Sequence, residues 1–331
     1  MKLLHITFHK GCLLDIEYAF TTLGHELHTM AFDDGETTGG DLYNITHDRA
    51  QKCWNKYKDY FNSFDGIITS DTCPTSRPFL QNNWSKLLII WVCNRFDYGI
   101  QPENQDKEFY QLLRDIPNRK NVFIFGYTPI ENVYSTYVKR VNFGDFVIKP
   151  IGKNMLSKNV CKTYENEVND VFYVPTYHNE TILMNLSKKL FELGIKNRCE
   201  RFNHISDLLQ YKGGIYIPYA WSTLVFFERM QLGLVTFIPS LRFLMELFKT
   251  GKWWFQPPFI PQTPGLLKLS EWYCDEHQDI LVYFDSWEDL QYKIKTTDYK
   301  LKTQKILEFA QKHHDDTLSK WNSIINQYLA I

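Results

Sequence analysis

Hydrophobic runs and helix-spaced apolar residues alternate along the first half of the chain. Residues 2–8 and 86–93 are short, apolar, β-leaning runs, and residues 13–23 carry apolar side chains at the spacing of a largely buried helix. Gly24 follows that helix, at the position where a left-handed C-terminal cap favours glycine. Further short strands are predicted at residues 26–32, 66–69 and 121–125, and further helices at residues 53–61 and 109–113. Strands separated by helices predict a parallel, doubly wound α/β sheet.

The second half of the chain repeats this alternation. Residues 151–169 are polar, rich in Asn and Lys, and suit a linker or the edge of a domain. Beyond them, strands are predicted at residues 171–175, 213–218 and 234–238, and helices at residues 179–194, 224–232 and 299–331. We therefore predict two similar Rossmann-like domains, at residues 1–150 and 151–312, followed by a closing helix at residues 313–331.

Charge and length narrow the classes of partner. A chain of 331 residues is long enough for two domains. Its 37 basic and 38 acidic residues nearly cancel, so the net charge gives no overall attraction to nucleic acid. No run of 18 apolar residues exists, and the apolar stretch at the N-terminus is too short for a signal peptide. We expect a cytoplasmic protein without a transmembrane segment. The Asn-, Lys- and Tyr-rich composition suggests an AT-rich genome such as that of a large virus, in which case the location would be the host cytoplasm.

The cysteines and the missing motifs exclude several kinds of site. The seven cysteines are odd in number and include no Cys-x-x-Cys pair, which argues against a disulfide framework and a zinc ribbon. The chain also lacks the glycine-rich motifs of dinucleotide-binding dehydrogenases and P-loop NTPases, the Gly-x-Ser-x-Gly elbow, His-Glu-x-x-His and Asp-x-Asp. We therefore expect reduced thiols, no resident cofactor and no metal.

The segment at residues 211–240 is the most informative for chemistry. It predicts a strand, a proline-containing loop and a helix that begins at Ser222 or Thr223, whose free N–H groups suit a diphosphate. Glu228 lies on the otherwise apolar helix, where a ribose diol would supply two hydroxyl donors. From the residues alone, a capped helix with one rim-exposed Glu is the simpler interpretation of the pattern.

Residues 218–238 resemble the donor-binding segment of GT-B glycosyltransferases. In that superfamily a Pro/Ser loop meets the diphosphate and a Glu in the next helix holds the ribose, and here Ser222, Thr223 and Glu228 match by position. Three further segments resemble GT-B features, at residues 23–27, 283–290 and 313–329. The resemblance implies an α/β protein of two Rossmann-like, doubly wound domains, with the active site in the cleft between them and a C-terminal helix that crosses back to the N-domain.

The resemblance also implies an activity. We expect a hexosyl- or pentosyltransferase of glycan biosynthesis that moves a sugar from a nucleotide diphosphate sugar to a hydroxyl of a glycan or glycoprotein acceptor, without a metal. The Glu-x7-Glu of retaining members is absent, because Thr236 and Ala220 stand eight residues after and before Glu228. An inverting mechanism is therefore favoured. The alternatives are a catalytically inactive nucleotide- or glycan-binding module and a nucleotide-sugar epimerase or phosphorylase on the same fold; the oligomeric state stays open.

An inverting enzyme needs a general base, and the loops after the N-domain strands offer three candidates. Asp15 lies on the first turn of the first helix, where its charge can also simply complement the helix dipole. His9 is the second candidate, because the unperturbed pKa of a histidine side chain suits proton transfer. Asp71 follows the third predicted strand, where an N-cap or Asx-turn is the alternative role.

Other residues are candidates for substrate contacts. Arg95 and Asp97 follow the strongest predicted strand and either contact the acceptor or form a local ion pair. Trp253 and Trp254 offer flat faces to a sugar or form a hydrophobic plug between domains. The candidate donor contacts beyond Ser222, Thr223 and Glu228 are Lys149, Tyr177, His178, Arg201 and His204.

Overall fold

The chain forms two compact units. A computed structural model describes residues 1–30, 45–157, 159–163, 169–177, 184–251 and 264–331. Unit 1 comprises Met1–Met155 together with Asp316–Ile331, and unit 2 comprises Leu156–Asp315. The divisions expected from the sequence lay at residues 150 and 312.

Unit 1 contains a five-stranded parallel sheet with the order β2-β1-β3-β4-β5. Its elements are β1 (Lys2–Ile6), α1 (Lys10–Thr22), β2 (Glu26–Met30), α2 (His47–Asn62), β3 (Gly66–Asp71), α3 (Arg77–Gln81), β4 (Leu87–Val92), α4 (Lys107–Arg114), β5 (Val122–Gly126) and α5 (Pro129–Val133). Every residue of β3 and β4 is buried. Such continuous apolar strands are typical of a parallel sheet that is covered on both faces.

Unit 2 contains a second five-stranded parallel sheet, with the order β7-β6-β8-β9-β10. Its elements are β6 (Phe172–Val174), α6 (Leu186–Glu192), β7 (Asn197–Cys199), β8 (Gly213–Ile215), α7 (Leu224–Leu232), β9 (Thr236–Pro239), α8 (Leu241–Lys249), α9 (Pro264–Leu267), β10 (Leu281–Phe284), α10 (Trp287–Thr296) and the first part of α11 (Tyr299–Leu329). The two sheets share one topology, in which the second strand lies outside the first and the others follow on the opposite side.

The C-terminal helix α11 contributes to both units. Ile306 and Ala310 belong to the core of unit 2. Trp321 packs in unit 1 against the rings of Phe20 and Trp91, at centroid distances of 5.3 and 5.6 Å. The predicted fold class, two Rossmann-like domains with a helix that returns to the first, is confirmed. Within the described ranges, no helix combines the length and the apolarity that a membrane crossing requires.

Several elements of unit 2 differ from the sequence prediction, which did not include α8, α9, β10 or α10. The helix expected from residue 179 begins at Leu186, and the side chain of Asn185 caps it by accepting a hydrogen bond from the N–H of Lys188 at 2.9 Å. Residues 178–183, which include the expected cap, lie outside the described ranges. The strand β7 was not predicted, because three residues of mixed polarity at a sheet edge carry little periodic signal.

Candidate functional site

A pocket of unit 2 lies at the carboxyl ends of β6 and β8, where the strand order reverses. In open α/β sheets this reversal is the place where ligands bind. The pocket has a volume of about 240 Å³, against the roughly 30 Å³ that one water occupies in the liquid. Its walls are formed by Tyr173, Pro175, Thr176, Arg201, Phe202, Tyr216, Tyr219, Thr223, Val225 and Arg229. The space suits a group of a small molecule rather than a single water.

Arg229 places a buried positive charge in the wall of this pocket. Its side chain is 3% exposed, and its guanidinium carbon lies 4.7 Å from the ring centroid of Tyr216. Its Nε and Nη1 atoms make no hydrogen bond to any described residue. Burying a cation without a partner is unfavourable, so the arrangement favours an anionic ligand with hydrogen-bond acceptors.

The tyrosines around Arg229 do not compensate its charge. Burial raises the pKa of Tyr177 and that of Tyr216 well above 10, so both phenols are neutral at physiological pH. The Tyr177 hydroxyl accepts a hydrogen bond from the N–H of Ile217 at 2.8 Å, which fixes the loop after β8. Trp272 stacks behind Tyr216 with ring centroids 4.6 Å apart. The pocket therefore has a rigid aromatic wall and a net positive character.

Several of the predicted donor residues meet at the pocket. Arg201 and Thr223 line it, and Tyr177 packs against the Tyr216 ring at 5.6 Å. Thr223 occupies the N-cap position of α7, but its side chain makes no capping hydrogen bond. Ser222 is 5% exposed, and its Oγ has no hydrogen-bond partner among the described residues. The start of α7 therefore offers both N–H groups and hydroxyls to a ligand.

Three of the remaining donor candidates are described by the structure, and they are not among the residues that line the pocket. Glu228 is half-buried on α7, one residue before Arg229, and is not among the lining residues. His204 is exposed at the start of a short 3₁₀ turn. Lys149 belongs to unit 1. His178 lies outside the described residues. The ribose contact expected for Glu228 stays a prediction.

Arg229 was missed by the sequence analysis. In the sequence it follows the matched Glu228 and stands in the last turn of a helix, where a cation complements the helix dipole. Arg229 stands four residues after Val225 and therefore on the same face of a largely apolar helix. This position on an apolar face is the sequence signal that could have identified it. Only the burial of the whole side chain distinguishes it from a solvated cation.

Unit 1 gathers His9, Cys12, Asp71 and Cys93 near the carboxyl ends of β1, β3 and β4. His9 caps α1, because its Nδ1 accepts a hydrogen bond from the N–H of Cys12 at 3.3 Å. Burial raises the pKa of the Cys12 thiol, but hydrogen bonds with Cys93 and His9 outweigh it and bring the pKa to about 7. The structure thus brings two of the three predicted base candidates, His9 and Asp71, to one cluster around Cys12, which the sequence analysis did not select.

Asp71 is the strained member of this cluster. It is 3% exposed and has φ of 81°, in the left-handed region that is unfavourable for residues other than glycine. Its carbonyl oxygen accepts hydrogen bonds from the N–H groups of Cys93 and Asn94, both at 3.0 Å, which hold this conformation. Strain of this kind is concentrated at functional sites.

Asp15, the remaining base candidate, makes structural contacts. It is 4% exposed, and its carboxylate accepts hydrogen bonds from the N–H groups of Ile151 at 3.1 Å and Gly152 at 2.7 Å. These bonds join α1 to the segment that follows β5. Because main-chain donors occupy both carboxylate oxygens, the geometry favours a structural role for Asp15.

The acceptor candidates Arg95 and Asp97 form an ion pair with each other. This is the second of the two roles that the sequence allowed, the first being contact with the acceptor. Asp97 is 5% exposed and pairs with Arg95. It also accepts a hydrogen bond from the Tyr134 hydroxyl at 2.9 Å and lies 3.4 Å from the Lys139 ammonium. The geometry favours a structural role for Asp97. Trp253 and Trp254 lie outside the described residues.

Solved structures of other proteins align with this chain over almost its whole length. A putative UDP-N-acetylglucosamine 2-epimerase from Listeria monocytogenes is 13% identical, with coverage of 99% of this chain and 97% of that one, and has a TM-score of 0.54. This chain has the GT-B fold. The calicheamicin glycosyltransferase CalG4 is 8% identical over 99% and 98% of the two chains, with a TM-score of 0.48. A UDP-GlcNAc 2-epimerase from Neisseria meningitidis, bound to UDP-GlcNAc, is 11% identical over 97% and 100%, with a TM-score of 0.48.

At these identities the likeness concerns the fold alone. The sequence matches no protein-family model and no curated protein. The GT-B fold includes transferases and epimerases, so the reaction has to be argued from the residues of this chain.

Proposed function

We propose that this chain is a glycosyltransferase that transfers a hexosyl or pentosyl group from a nucleotide diphosphate sugar to an acceptor hydroxyl. The observation that carries the proposal is the buried guanidinium of Arg229, in a pocket at the strand-order reversal of unit 2. A diphosphate supplies the negative charge and the acceptor oxygens that this group requires.

Unit 2 holds the donor in this proposal. The Nε and Nη1 of Arg229 bind diphosphate oxygens, and the N–H groups at the start of α7 add the positive end of the helix dipole. Arg201, which also lines the pocket, supplies a second cation, and Phe202 offers a ring face to the base. Glu228 remains the proposed ribose contact. The same cations stabilise the negative charge that develops on the departing diphosphate.

Unit 1 supplies the general base, and we assign this role to Asp71 rather than to Asp15. Neutral His9 carries its proton on Nε2 when Nδ1 accepts the hydrogen bond from Cys12, so it acts as a donor to the substrate. Asp71 takes the proton of the acceptor hydroxyl, the oxygen attacks the anomeric carbon, and the bond from that carbon to the diphosphate breaks with inversion. The nucleoside diphosphate leaves with both bonding electrons.

The donor site is tested by nucleotide binding to the wild-type chain and to Arg229→Met. We expect one of UDP, GDP, ADP or dTDP to raise the stability of the wild type, by about 2.7 kcal/mol at a hundredfold excess over Kd. Because a hydrogen bond to a charged group is worth about 1.5–3 kcal/mol, Arg229→Met should weaken binding by roughly 10- to 150-fold in calorimetry. The control is Arg242→Met, which removes an exposed cation of the same unit and should bind as the wild type does. Equal binding by folded Arg229→Met and wild type would contradict the donor site.

The reaction is tested by donor turnover with and without an acceptor library. Release of nucleoside diphosphate only with an acceptor indicates a transferase, whereas a changed sugar on the donor without an acceptor indicates an epimerase. Asp71→Asn retains a residue type that tolerates φ above zero, so we expect it to bind nucleotide normally and to turn over about 100-fold or more slowly. Binding without any turnover would favour the binding module.

A further inference from the structure

Glu271, Cys274 and His277 bring three potential metal ligands together in unit 2. They lie in the segment between α9 and β10 and are not part of the pocket lining. One ligand atom from each lies within 4.8 Å of the other two. The Nδ1 of His277 is 3.3 Å from the Sγ of Cys274 and 3.4 Å from the Oε2 of Glu271.

These separations match the edges of a tetrahedral zinc site. With a zinc–sulfur distance of about 2.3 Å and zinc–nitrogen and zinc–oxygen distances of about 2.1 Å, tetrahedral angles put ligand atoms about 3.4 to 3.6 Å apart. The distances from Nδ1 of His277 to Sγ of Cys274 and to Oε2 of Glu271, 3.3 and 3.4 Å, are close to those values. One ion can contact all three side chains once the His277 imidazole turns away from the carbonyl oxygen of Glu271, to which its Nδ1 is hydrogen-bonded.

The surroundings of the cluster suit a bound ion. Glu271 and His277 are fully buried. The rings of Phe226 and Phe309 pack on the imidazole at centroid distances of 4.9 and 5.4 Å, which excludes water from one side. A low-dielectric environment strengthens the attraction between a cation and a carboxylate or thiolate. In such surroundings a divalent cation would neutralise the negative charges of the Glu271 carboxylate and the Cys274 thiolate.

We propose that Glu271, Cys274 and His277 bind one zinc ion. Thiolate, imidazole and carboxylate together are a ligand set of zinc, whereas magnesium and calcium take oxygen ligands. Three protein ligands leave one coordination position for a small non-protein ligand. The Nδ1–H of His277 also donates to the carbonyl oxygen of Glu271 at 2.7 Å, so zinc binding breaks this hydrogen bond and displaces the proton from Nδ1. The spacing Glu-x2-Cys-x2-His has no Cys-x-x-Cys, which is why the sequence analysis expected no metal.

The site has a structural role. The N–H of Glu271 donates to the carbonyl oxygen of Trp221 at 3.1 Å, and the Nε1 of Trp272 donates to that of Ala220 at 2.9 Å. Trp272 also stacks on Tyr216, which lines the pocket. A zinc ion would therefore anchor the segment that supports the aromatic wall of the pocket, without taking part in the reaction.

The test uses the full chain, free of any affinity tag, after removal of metal with a chelator. We expect the wild type to take up one Zn²⁺ per chain with a rise in Tm. Co²⁺ should give a thiolate-to-cobalt charge-transfer band and the strong visible absorption of a tetrahedral complex. Cys274→Ser should lose the charge-transfer band and the rise in Tm.

The control is the double variant Cys161→Ser with Cys199→Ser, which removes the two exposed thiols of unit 2. It should keep the cobalt band and the zinc stoichiometry. Absence of a thiolate band in the wild type, or its loss in the double variant, would overturn the proposal, even if Cys274→Ser failed to fold. A band that persists in Cys274→Ser would overturn it as well. Nucleotide binding is measured separately, so failure of the zinc site leaves the proposed donor pocket to its own test.

Discussion

Glu131 shows what burial does to a single carboxyl group of unit 1. It lies on α5, is 1% exposed, and accepts a hydrogen bond from the N–H of Phe96 at 2.8 Å. Burial raises the pKa of Glu131 to about 8, although the hydrogen bond from Phe96 acts in the opposite direction. The carboxyl group is therefore largely protonated in the native state at neutral pH, unlike the same group in the unfolded chain.

The pH dependence of stability follows from this difference. Between about pH 4.5 and 8, the native state keeps a proton on Glu131 that the unfolded state releases, so the free energy of unfolding falls as the pH rises. The slope contributed by one group is at most about 1.4 kcal/mol per pH unit. Gln is neutral at every pH, so Glu131→Gln should lose this slope and gain stability relative to the wild type as the pH rises.

Denaturant unfolding at pH 5, 6, 7 and 8 measures the effect. The control is Glu192→Gln, a substitution of an exposed Glu on α6, which should follow the wild-type curve. Parallel curves for the wild type and Glu131→Gln would show that Glu131 ionises normally in the folded protein.

The turn after α7 determines how that helix presents Arg229. Gly233 has φ of 76°, and the N–H of the next residue, Leu234, donates to the carbonyl oxygen of Arg229 at 3.0 Å. The carbonyl oxygen of Gly233 accepts a hydrogen bond from the Thr303 hydroxyl at 2.8 Å. A Cβ at Gly233 would lie 3.0 Å from two atoms of Leu307. The backbone conformation of Gly233 and its packing against α11 therefore both fix where α7 ends.

Gly233→Ala and Gly194→Ala separate these two contributions. Both glycines have left-handed φ values, 76° and 71°, but a Cβ at Gly194 has no neighbour within 4 Å. We expect Gly194→Ala to lower the free energy of unfolding by about 1–2 kcal/mol, from backbone strain alone. Gly233→Ala should cost about 1–3 kcal/mol more, since overpacking adds to the strain. If both variants lost the same free energy of unfolding in chemical denaturation, α11 would have shifted at this contact without an energetic cost.

At the scale of the whole molecule, two units of the same topology share one long helix. The last part of α11 buries Trp321 completely in unit 1, against Phe20, Trp91 and Phe125. The earlier part of the same helix belongs to unit 2. A destabilising substitution near the C-terminus of α11 should therefore lower the stability of unit 1 more than that of unit 2.

Trp321→Ala tests this division. Removing a fully buried Trp costs about 3–5 kcal/mol. We expect amide hydrogen exchange to accelerate in β3 and β4, with much smaller changes in β8 and β9 and with nucleotide binding retained. Asn322→Ala, at the neighbouring exposed position, should leave exchange unchanged. Equal acceleration in both sheets would show that the units unfold together.

The sequence by itself determined the fold class and many of the strands and helices. The apolar run of β4, the helix-spaced residues of α1 and the glycines after α1 and α7 are local signals that act within a few residues of the chain. They were enough for two parallel α/β halves. The strand–loop–helix pattern around Ser222 is also a local signal. The pocket of unit 2 lies beside this segment, because Thr223 is one of its lining residues.

Only the tertiary structure decided which side chains serve the candidate sites. Asp15 binds the main chain more than 130 residues away, and Arg229 is enclosed by residues of several separate strands and loops. Glu271, Cys274 and His277 converge in a way that no familiar spacing predicts. Burial and hydrogen-bond partners arise from contacts between distant parts of the chain. A local pattern therefore distinguishes a helix from a strand, but not a buried cation from a solvated one.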